Sequence, residues 1–181
     1  MIEKDEVRKY IRQKKNNLTD CYKDFQSKQI FEILFTIKEW DTARNVLLYY
    51  SLPDEVITHK YLDKISNEKN LYLPKVKEDT LVILKYNKDK LFLGAFNIVE
   101  PTGNDTVSID QIDTIIVPGM AFDKSCNRLG RGKGYYDSIL KYANGVKIGI
   151  CYDFQLLDCL PVEDHDIKMD IIIHPNGVIR K

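Results

Sequence analysis

The segment from Val117 to Asp137 carries the residues best suited to chemistry in this chain of 181 residues. It reads V-P-G-M-A-F-D-K-S-C-N-R-L-G-R-G-K-G-Y-Y-D, and three of its glycines alternate with other residues at Gly130, Gly132 and Gly134. Glycine readily adopts positive φ angles and lets backbone N–H groups come close to a ligand. The segment therefore predicts a loop whose backbone binds an anion.

Basic side chains alternate with these glycines, at Arg128, Arg131 and Lys133. A helix is predicted to begin directly afterwards, and a helix N-terminus attracts phosphate groups. The alternative is a surface turn with solvated charges, for which ordering so many glycines would be entropically wasteful. The spacing matches neither G-x-x-x-x-G-K-S/T nor G-x-G-x-x-G. The pattern thus indicates phosphate binding without identifying the ligand.

The composition narrows the possible partners. Lys and Arg number 27, as do Asp and Glu, and 44% of the residues are hydrophobic, which excludes extensive disorder. A neutral total argues against a protein that meets nucleic acid over most of its surface. No apolar run approaches the ~20 residues of a membrane span, and the charged first fifteen residues do not resemble a signal peptide. We expect a cytoplasmic protein that binds neither membrane nor nucleic acid.

Cysteines and histidines give no metal-site pattern. The four cysteines contain no C-x-x-C pair, so free thiols in a reducing compartment are expected (Cys21, Cys126, Cys151 and Cys159). The three histidines are too scattered along the chain to suggest a metal site.

Helices and strands are predicted to alternate along the sequence. Helices are expected from about Glu3 to Asn17, Asp24 to Lys38, Asp54 to Ile65 and Tyr135 to Tyr142. Strands are expected at 46–50, 71–73, 81–86, 112–117, 146–151 and 169–173, while 91–101 fits a strand less clearly. Several strands are continuously apolar, as in parallel sheets covered on both faces. The pattern predicts one three-layer α/β domain over residues 1–181, Rossmann-like, with a mainly parallel sheet.

In such sheets, ligands bind at the carboxyl ends of the strands. Two loops with suitable chemistry follow predicted strands, one after Tyr50 and one after Val117. Glu55 lies in the first of these loops, and a carboxylate can accept two hydrogen bonds from an amidine-like edge. The alternative for Glu55 is an ordinary acidic residue in the first turn of the next helix.

The segment P-G-M-A-F-D followed by N-R-L-G-R-G-K-G-Y-Y-D resembles the signature of the 5-formyltetrahydrofolate cyclo-ligase family, also called methenyltetrahydrofolate synthetases. The resemblance extends from the Lys-x-x-x-Arg of the first helix to Met169 and Asp170. Two positions depart from it: Cys126, where members often carry glycine, and Tyr50, where an aliphatic residue is frequent.

The resemblance implies an ATP- and Mg²⁺-dependent ligase that converts 5-formyltetrahydrofolate into 5,10-methenyltetrahydrofolate, releasing ADP and phosphate. A formyl amide is a poor electrophile, so its oxygen would first be phosphorylated by ATP. N10 would then attack the activated carbon, and phosphate would leave as the ring closes. Phosphoryl transfer needs positioning and charge neutralisation, for which the resemblance implies Arg131 and Lys133 as catalytic residues.

The resemblance also implies binding roles for the remaining candidates. ATP would contact Lys4 and Arg8, together with Arg128, Leu129, Gly130, Arg131, Gly132, Lys133, Gly134, Tyr135 and Tyr136. Folate would contact Tyr50, Glu55, Tyr135 and Tyr136, and Mg²⁺ would bind Asp137 and Asp170.

Some of these roles have alternatives. Lys4 and Arg8 share one helix face, which is also the spacing of a solvated basic stripe, and Arg12 is interpreted as surface. Asp123 is a weaker metal candidate, because an aspartate there is also a good turn former.

Two other functions remain open from the residues alone. One is a non-catalytic nucleotide- or phosphate-binding module built on the same glycine loop. The other is an RNA-binding domain, which the neutral net charge disfavours. We expect a monomer, and the sequence does not decide whether polyglutamylated folates are preferred.

Overall fold

Thirteen strands and five α-helices are present in the computed structural model, which describes residues 3–94 and 99–181. The helices are α1 (Lys4–Lys15), α2 (Asp20–Leu34), α3 (Lys38–Asp41), α4 (Leu62–Glu68) and α5 (Tyr135–Leu140). The strands are β1 (Asn45–Leu47), β2 (Asn70–Lys77), β3 (Thr80–Lys85), β4 (Leu91–Leu93), β5 (Val99–Pro101), β6 (Thr106–Val107), β7 (Thr114–Val117), β8 (Ala121–Asp123), β9 (Arg128–Leu129), β10 (Val146–Ile150), β11 (Leu156–Leu157), β12 (Ile171–His174) and β13 (Gly177–Arg180).

The central sheet has eight strands in the order β13-β12-β10-β7-β1-β2-β3-β6. Its middle strands, from β12 through β2, are parallel to one another. Antiparallel strands are added at both sides, β13 next to β12 and β3 with β6 next to β2. The predicted α/β class is confirmed, with a sheet that is parallel at its centre and mixed at its edges.

Alternate side chains of the central strands enter two different cores. Leu48, Ile116 and Ile148 pack on one face with Phe31 of α2 and Ile65 of α4. Leu47, Ile115 and Val117 pack on the other face with Ile139 and Leu140 of α5. Burying both faces explains why these strands are apolar at successive positions. The helices thus lie on both sides of the sheet, as predicted.

A small three-stranded sheet, β11-β8-β9, extends from the carboxyl end of β7. Helix α1 packs on it through Val7 and Ile11, which meet Met120, Ala121 and Leu129. This contact brings the N-terminal helix to the segment that carries the glycines. None of these three short strands was predicted, because each has only two or three residues.

The ring of Phe122 joins the small sheet to the central one. A Cβ at Gly119 would lie 2.6 Å from this ring, and a Cβ at Gly149 would also overlap it. The ring is fully buried. Only glycine leaves room for the ring at these two positions, so their lack of a side chain sets the distance between the two sheets.

The predicted helix from Asp54 to Ile65 is wrong in its first half. The chain forms a short 3₁₀ turn at His59–Tyr61 before α4 begins at Leu62. Asp54 does not cap a helix, because its carboxylate binds the side chains of Lys15 and Arg131. A local capping signal has been overridden by contacts with distant residues.

Other boundaries shifted for identifiable reasons. Helix α2 begins four residues earlier than predicted, because the Thr19 side chain accepts a hydrogen bond from the Tyr22 N–H and caps it. The stretch 91–101 contains β4 and β5, which pair antiparallel, and its residues 95–98 lie outside the described part.

Cys126 has a φ of 62°, in the left-handed region that favours glycine. This backbone conformation accounts for the glycine that is common at this position in the family that the sequence resembles.

Candidate functional site

A cavity of about 410 Å³ lies at the carboxyl ends of β1 and β7, beside the loop between β9 and α5. Its lining comes from five parts of the chain that are distant in sequence, namely Tyr49, Tyr50, Leu52, Glu55, Pro74, Val76, Leu81, Val99, Glu100, Pro118, Gly119, Arg128, Gly130, Arg131, Lys133, Gly134, Tyr135, Tyr136 and Asp137. Both loops predicted from the sequence therefore contribute to one cavity.

The glycine loop, residues 130–134, has positive φ angles at two of its three glycines. Gly132 and Gly134 have φ angles of 103° and 68°, which other residues rarely adopt. Gly134 is the N-cap residue of the short helix α5, which begins at Tyr135. The loop thus lines the cavity with backbone as well as with the side chains of Arg131 and Lys133.

Arg128 is buried behind this loop, with only 4% of its side chain exposed. Its Nη2 donates to both carboxylate oxygens of Asp137 at 2.9 Å, and its Nη1 donates to the Pro118 carbonyl at 3.0 Å. Its guanidinium lies over the Tyr136 ring, 5.7 Å from the centroid. Arg128 therefore fixes the loop against the end of β7 and the start of α5.

Arg131 and Glu55 face each other across the cavity. The Arg131 Nε and Nη2 atoms donate to the Glu55 Oε1 at 3.1 and 3.0 Å, and Nη2 also donates to Asp54 at 2.6 Å. Arg131 keeps 42% of its side chain exposed, whereas Glu55 keeps 9%. Two of the predicted functional side chains are thus in direct contact.

The rest of Glu55 is held by its own loop. Its Oε2 accepts a hydrogen bond from the Leu52 N–H at 3.0 Å, and its carbonyl accepts one from the Tyr152 hydroxyl at 2.6 Å. The position of Oε1 is therefore set by the loop that follows β1. Glu55 does not occupy a first helical turn, so that alternative is wrong.

Tyr50 is positioned by an aromatic stack. Its ring lies parallel to the His59 imidazole, with centroids 5.2 Å apart, and the His59 Nδ1 shares a hydrogen bond of 2.7 Å with the Ser51 hydroxyl. Burial lowers the pKa of His59, which favours the neutral ring next to Lys60. The stack on His59 therefore holds in place a tyrosine that lines the cavity.

Tyr135 and Tyr136 also line the cavity, at the start of α5. The Tyr136 hydroxyl is buried and has no hydrogen-bond partner among residues 3–94 and 99–181. Burial raises the pKa of this phenol well above its usual value, so Tyr136 remains a neutral donor. An unpartnered hydroxyl at this position is suited to a polar atom of a ligand.

Arg8 and Lys4 of α1 have different environments. The Arg8 Nε donates to the Gly130 carbonyl at 3.0 Å, so Arg8 lies against the glycine loop, although it is not among the residues that line the cavity. Lys4 instead binds Glu163 and Asp166, both at 2.7 Å. Lys4 therefore contacts the loop before β12 and is not among the residues that line the cavity.

The predicted metal ligands do not come together. Asp137 lines the cavity and pairs with Arg128. Asp170 lies at the amino end of β12, whereas the cavity lies at the carboxyl ends of β1 and β7. Its carboxylate binds the Lys147 backbone N–H at 2.8 Å and the Lys147 ammonium at 2.9 Å. Of the two aspartates predicted as candidate Mg²⁺ ligands, Asp137 therefore lies at the cavity and Asp170 lies away from it.

Asp123 forms a turn, as its alternative interpretation suggested. Its carboxylate accepts hydrogen bonds from the backbone of Ser125, Asn127 and Leu160 and from the Asn127 side chain. In the described ranges, one group of ligand-type residues is spaced for a metal, Glu163 with His165 and Asp166, and Lys4 forms ion pairs with both of its carboxylates.

One wall of the cavity was not predicted from the sequence. Pro74 and Val76 of β2, Leu81 of β3 and Val99 of β5 give it an apolar surface. Glu100 lies beside them, 2% exposed, with its Oε1 accepting from the Val76 N–H at 3.0 Å. These residues follow ordinary strand patterns, so nothing in their local sequence marks them as part of a site.

Two further expectations concern the surroundings of the protein. Within the part of the chain that the structure describes, no helix combines the length and the apolar character that crossing a membrane requires. All four cysteines are free, Cys21 and Cys159 at the surface and Cys126 and Cys151 buried.

Comparisons with known proteins agree with this architecture. Residues 1–175 match the model of the 5-formyltetrahydrofolate cyclo-ligase family. The probable 5-formyltetrahydrofolate cyclo-ligase of Schizosaccharomyces pombe is 35% identical over 99% of this chain and 98% of its own length. The 5-formyltetrahydrofolate cyclo-ligase of Escherichia coli K12 is 29% identical, over 93% of this chain and 98% of its own.

Two solved structures share the fold. The 5,10-methenyltetrahydrofolate synthetase of Aquifex aeolicus superposes with a TM-score of 0.91 at 34% identity, covering 99% of this chain and 93% of that one. The 5,10-methenyltetrahydrofolate synthetase of Mycoplasma pneumoniae superposes with a TM-score of 0.78 at 27% identity, covering 96% and 99%.

Proposed function

The chain belongs to the 5-formyltetrahydrofolate cyclo-ligase family, and we propose that it converts 5-formyltetrahydrofolate into 5,10-methenyltetrahydrofolate in the cavity between Glu55 and the glycine loop, with ATP as co-substrate. The observation that carries the placement is the contact of Arg131 with Glu55. It puts a group suited to phosphate within reach of a group suited to a pterin.

The folate subsite is assigned to the Glu55 side of the cavity. The 2-amino-4-oxo edge of a pterin offers paired N–H donors to a carboxylate, and Glu55 Oε1 already accepts two hydrogen bonds from the chemically similar guanidinium of Arg131. Binding of the pterin there exchanges one set of donors for another. The Tyr50 ring, together with Tyr135 and Tyr136, provides flat surfaces for the ring system.

The triphosphate of ATP is assigned to the glycine loop. The loop backbone from Gly130 to Gly134, with Arg131 and Lys133, supplies N–H donors and positive charge. Arg8 lies against this loop and adds a third cation near it. Lys4 would have to leave Glu163 and Asp166 to reach a phosphate, so we give it a secondary role.

The proposed reaction has two steps. The formyl oxygen attacks the γ-phosphorus of ATP, and the bond to the ADP oxygen breaks. N10 then attacks the activated formyl carbon, the carbon–oxygen bond breaks, inorganic phosphate leaves and N10 releases its proton to solvent. Arg131 and Lys133 stabilise the negative charge on the transferred phosphoryl group, which is the main need of such a step.

Of the two aspartates predicted as Mg²⁺ ligands, Asp137 is placed where it could hold the ion. The Asp137 carboxylate lines the cavity, keeps 27% of its surface exposed and has lone pairs left after binding Arg128. Mg²⁺ commonly binds one or two carboxylates with phosphate oxygens and water, and it would neutralise charge on the triphosphate. Asp170 does not fit, because it is bound to Lys147 away from the cavity.

The proposal extends to the setting of the enzyme. We place it in a reducing cytoplasm, which suits four free cysteines, and as a monomer whose cavity is completed by one chain. The proposed folate substrate carries either a single glutamate or a polyglutamate chain.

A direct assay tests the proposal. Purified protein is mixed with 5-formyltetrahydrofolate, ATP and Mg²⁺, and the absorbance of the methenyl product is followed, with ADP measured in parallel. Product and ADP should form in equal amounts, and omission of ATP should abolish both. Folded protein that binds ATP but forms no product would support the non-catalytic alternative instead.

A further inference from the structure

Lys15 is an unusual residue for its place in the fold. The buried positions of α1 are Val7, Ile11 and Lys15, four residues apart on one face of the helix. The first two pack against the small sheet as hydrophobic side chains. Lys15 continues the same stripe with an ammonium group whose side chain is only 3% exposed. Burying a cation is costly unless it is paired, so its partner identifies what the residue does.

The partner of Lys15 is Asp54, and Asp54 is shared. Lys15 Nζ lies 3.1 Å from Asp54 Oδ2, while Asp54 Oδ1 accepts a hydrogen bond from Arg131 Nη2 at 2.6 Å. The two oxygens of one carboxylate thus bind one cation from α1 and one from the glycine loop. Arg131 in turn reaches Glu55. Lys15 stands at the buried end of a chain of charges that leads into the cavity.

This chain of charges matters because little else fixes Arg131. Its neighbours Gly130 and Gly132 have no side chains that could pack around it, and 42% of its own side chain is exposed. Its described hydrogen bonds go to Asp54 and Glu55. If Glu55 turns to a pterin, Asp54 is the carboxylate that still holds the guanidinium at the cavity.

We propose that Lys15 is a positioning residue that acts through Asp54, keeping Asp54 turned toward Arg131 so that the guanidinium stays at the cavity when substrate takes its place on Glu55. This inference rests on the proposed function, because it presupposes that folate displaces Arg131 from Glu55. Lys15 contacts neither substrate and is not a catalytic residue. It is not among the residues that line the cavity.

Burial is consistent with this role. It lowers the pKa of the Lys15 ammonium, opposed by the Asp54 and Glu55 carboxylates. Burial alone would raise the pKa of Asp54, but Lys15 and Arg131 outweigh it and keep that pKa below its usual value. Asp54 is therefore a charged acceptor for Arg131 under ordinary conditions.

The test compares Lys15→Met with Lys14→Met. Methionine keeps the length of the side chain and removes the charge, and Lys14 is an exposed neighbour that serves as the matched control. We expect Lys15→Met to lower kcat about tenfold, since small misplacements of a catalytic group are costly, with KM for 5-formyltetrahydrofolate within about twofold of wild type. Lys14→Met should leave both unchanged.

A double-mutant cycle separates positioning from a purely structural role. If Lys15 acts through Asp54, then Lys15→Met combined with Asp54→Asn should lower kcat no further than Asp54→Asn alone. Additive losses, or a wild-type kcat in folded Lys15→Met, overturn the inference. If Lys15→Met does not fold, Asp54→Asn carries the test, because a wild-type kcat in that variant also overturns it.

Failure of the proposed function has a different signature. If wild-type protein forms no methenyl product, the reaction itself is misassigned. If wild-type protein is active and the Lys15 and Asp54 variants behave as independent or neutral substitutions, only the positioning role is wrong.

Discussion

Glu55 Oε1 accepts two hydrogen bonds from Arg131, one from Nε at 3.1 Å and one from Nη2 at 3.0 Å. The carboxylate that we assign to the pterin is therefore occupied by an internal group with a similar arrangement of donors. In the proposed function, a phosphate that attracts Arg131 frees Glu55 at the same time. The proposal therefore predicts that the binding of ATP and the binding of folate are coupled through the Arg131 side chain.

Replacing Arg131 should separate turnover from folate binding. Arg131→Ala removes a cation from the glycine loop, so kcat should fall about 10²–10³-fold. The same change leaves the Glu55 carboxylate without its internal partner. Folate affinity measured without nucleotide should stay the same or increase. Isothermal titration and the methenyl absorbance assay give the two quantities. Lys124→Ala, an exposed lysine of the same segment, is the control and should be neutral. Weaker folate binding by Arg131→Ala would contradict the exchange at Glu55.

Replacing Glu55 should have the opposite pattern. Glu55→Gln keeps the shape of the side chain and removes the charge that a pterin edge needs, so folate affinity should drop about 10–100-fold. The affinity for a non-hydrolysable ATP analogue should stay the same or increase, because Arg131 then leaves a neutral partner and not a carboxylate when it turns to a phosphate. Equal losses for both ligands would show that Glu55 acts on the loop and not on folate.

The buried pair of Arg128 and Asp137 should be needed for stability. Asp137→Asn leaves a guanidinium that is 4% exposed without its carboxylate, and breaking a buried pair costs about 2–4 kcal/mol. In a domain of this size Tm should fall by roughly 5–10 °C in thermal denaturation followed by circular dichroism. Asp158→Asn breaks an exposed pair and should leave Tm unchanged. An unchanged Tm in Asp137→Asn would show that this carboxylate does not stabilise the fold and has a role in ligand binding only.

Gly149 should tolerate no side chain while Phe122 is present. A Cβ at Gly149 overlaps the buried ring, so Gly149→Ala should lower the free energy of unfolding by about 1–3 kcal/mol in urea denaturation. Phe122→Leu should restore part of that loss in the double variant, although it costs stability alone. If the double variant loses as much free energy of unfolding as the two single variants together, or more, this packing is refuted.

Stability toward acid should depend on Asp54. Folding lowers the pKa of this carboxyl, so it contributes stability above its unfolded pKa of about 3.9 and loses it as the pH falls through the lower folded value. The wild-type free energy of unfolding should decline steeply below about pH 4, and Asp54→Asn should decline less steeply. Urea titrations at several acidic pH values measure both slopes. Parallel curves for the two proteins would rule out this contribution.

The central sheet could be predicted from the sequence because its strands bury both faces. Ile115, Ile116 and Val117 are apolar at successive positions, and that pattern depends only on the strand itself. The segment after Asp54 could not be predicted in this way. Its local signals favour a helix, but Lys15 and Arg131, both far away in the sequence, bind the aspartate that would have capped it.

The candidate site also has one part that its local sequence determines and another that depends on contacts between distant residues. The glycine loop is local, so its residues and its positive φ angles follow from the sequence. The contact between Glu55 and Arg131 joins residues 76 positions apart and depends on how the strands are ordered in the sheet. The position of Asp170 depends on the same strand order, and the family resemblance at Met169 and Asp170 does not reveal that Asp170 pairs with Lys147.

The apolar wall of Pro74, Val76, Leu81 and Val99 has a practical consequence. ATP and folates, the proposed substrates, both carry negative charges. An uncharged compound that fills this part of the cavity would gain affinity from buried apolar surface without imitating a phosphate. A compound that binds this wall need not carry the negative charge of ATP or of a folate.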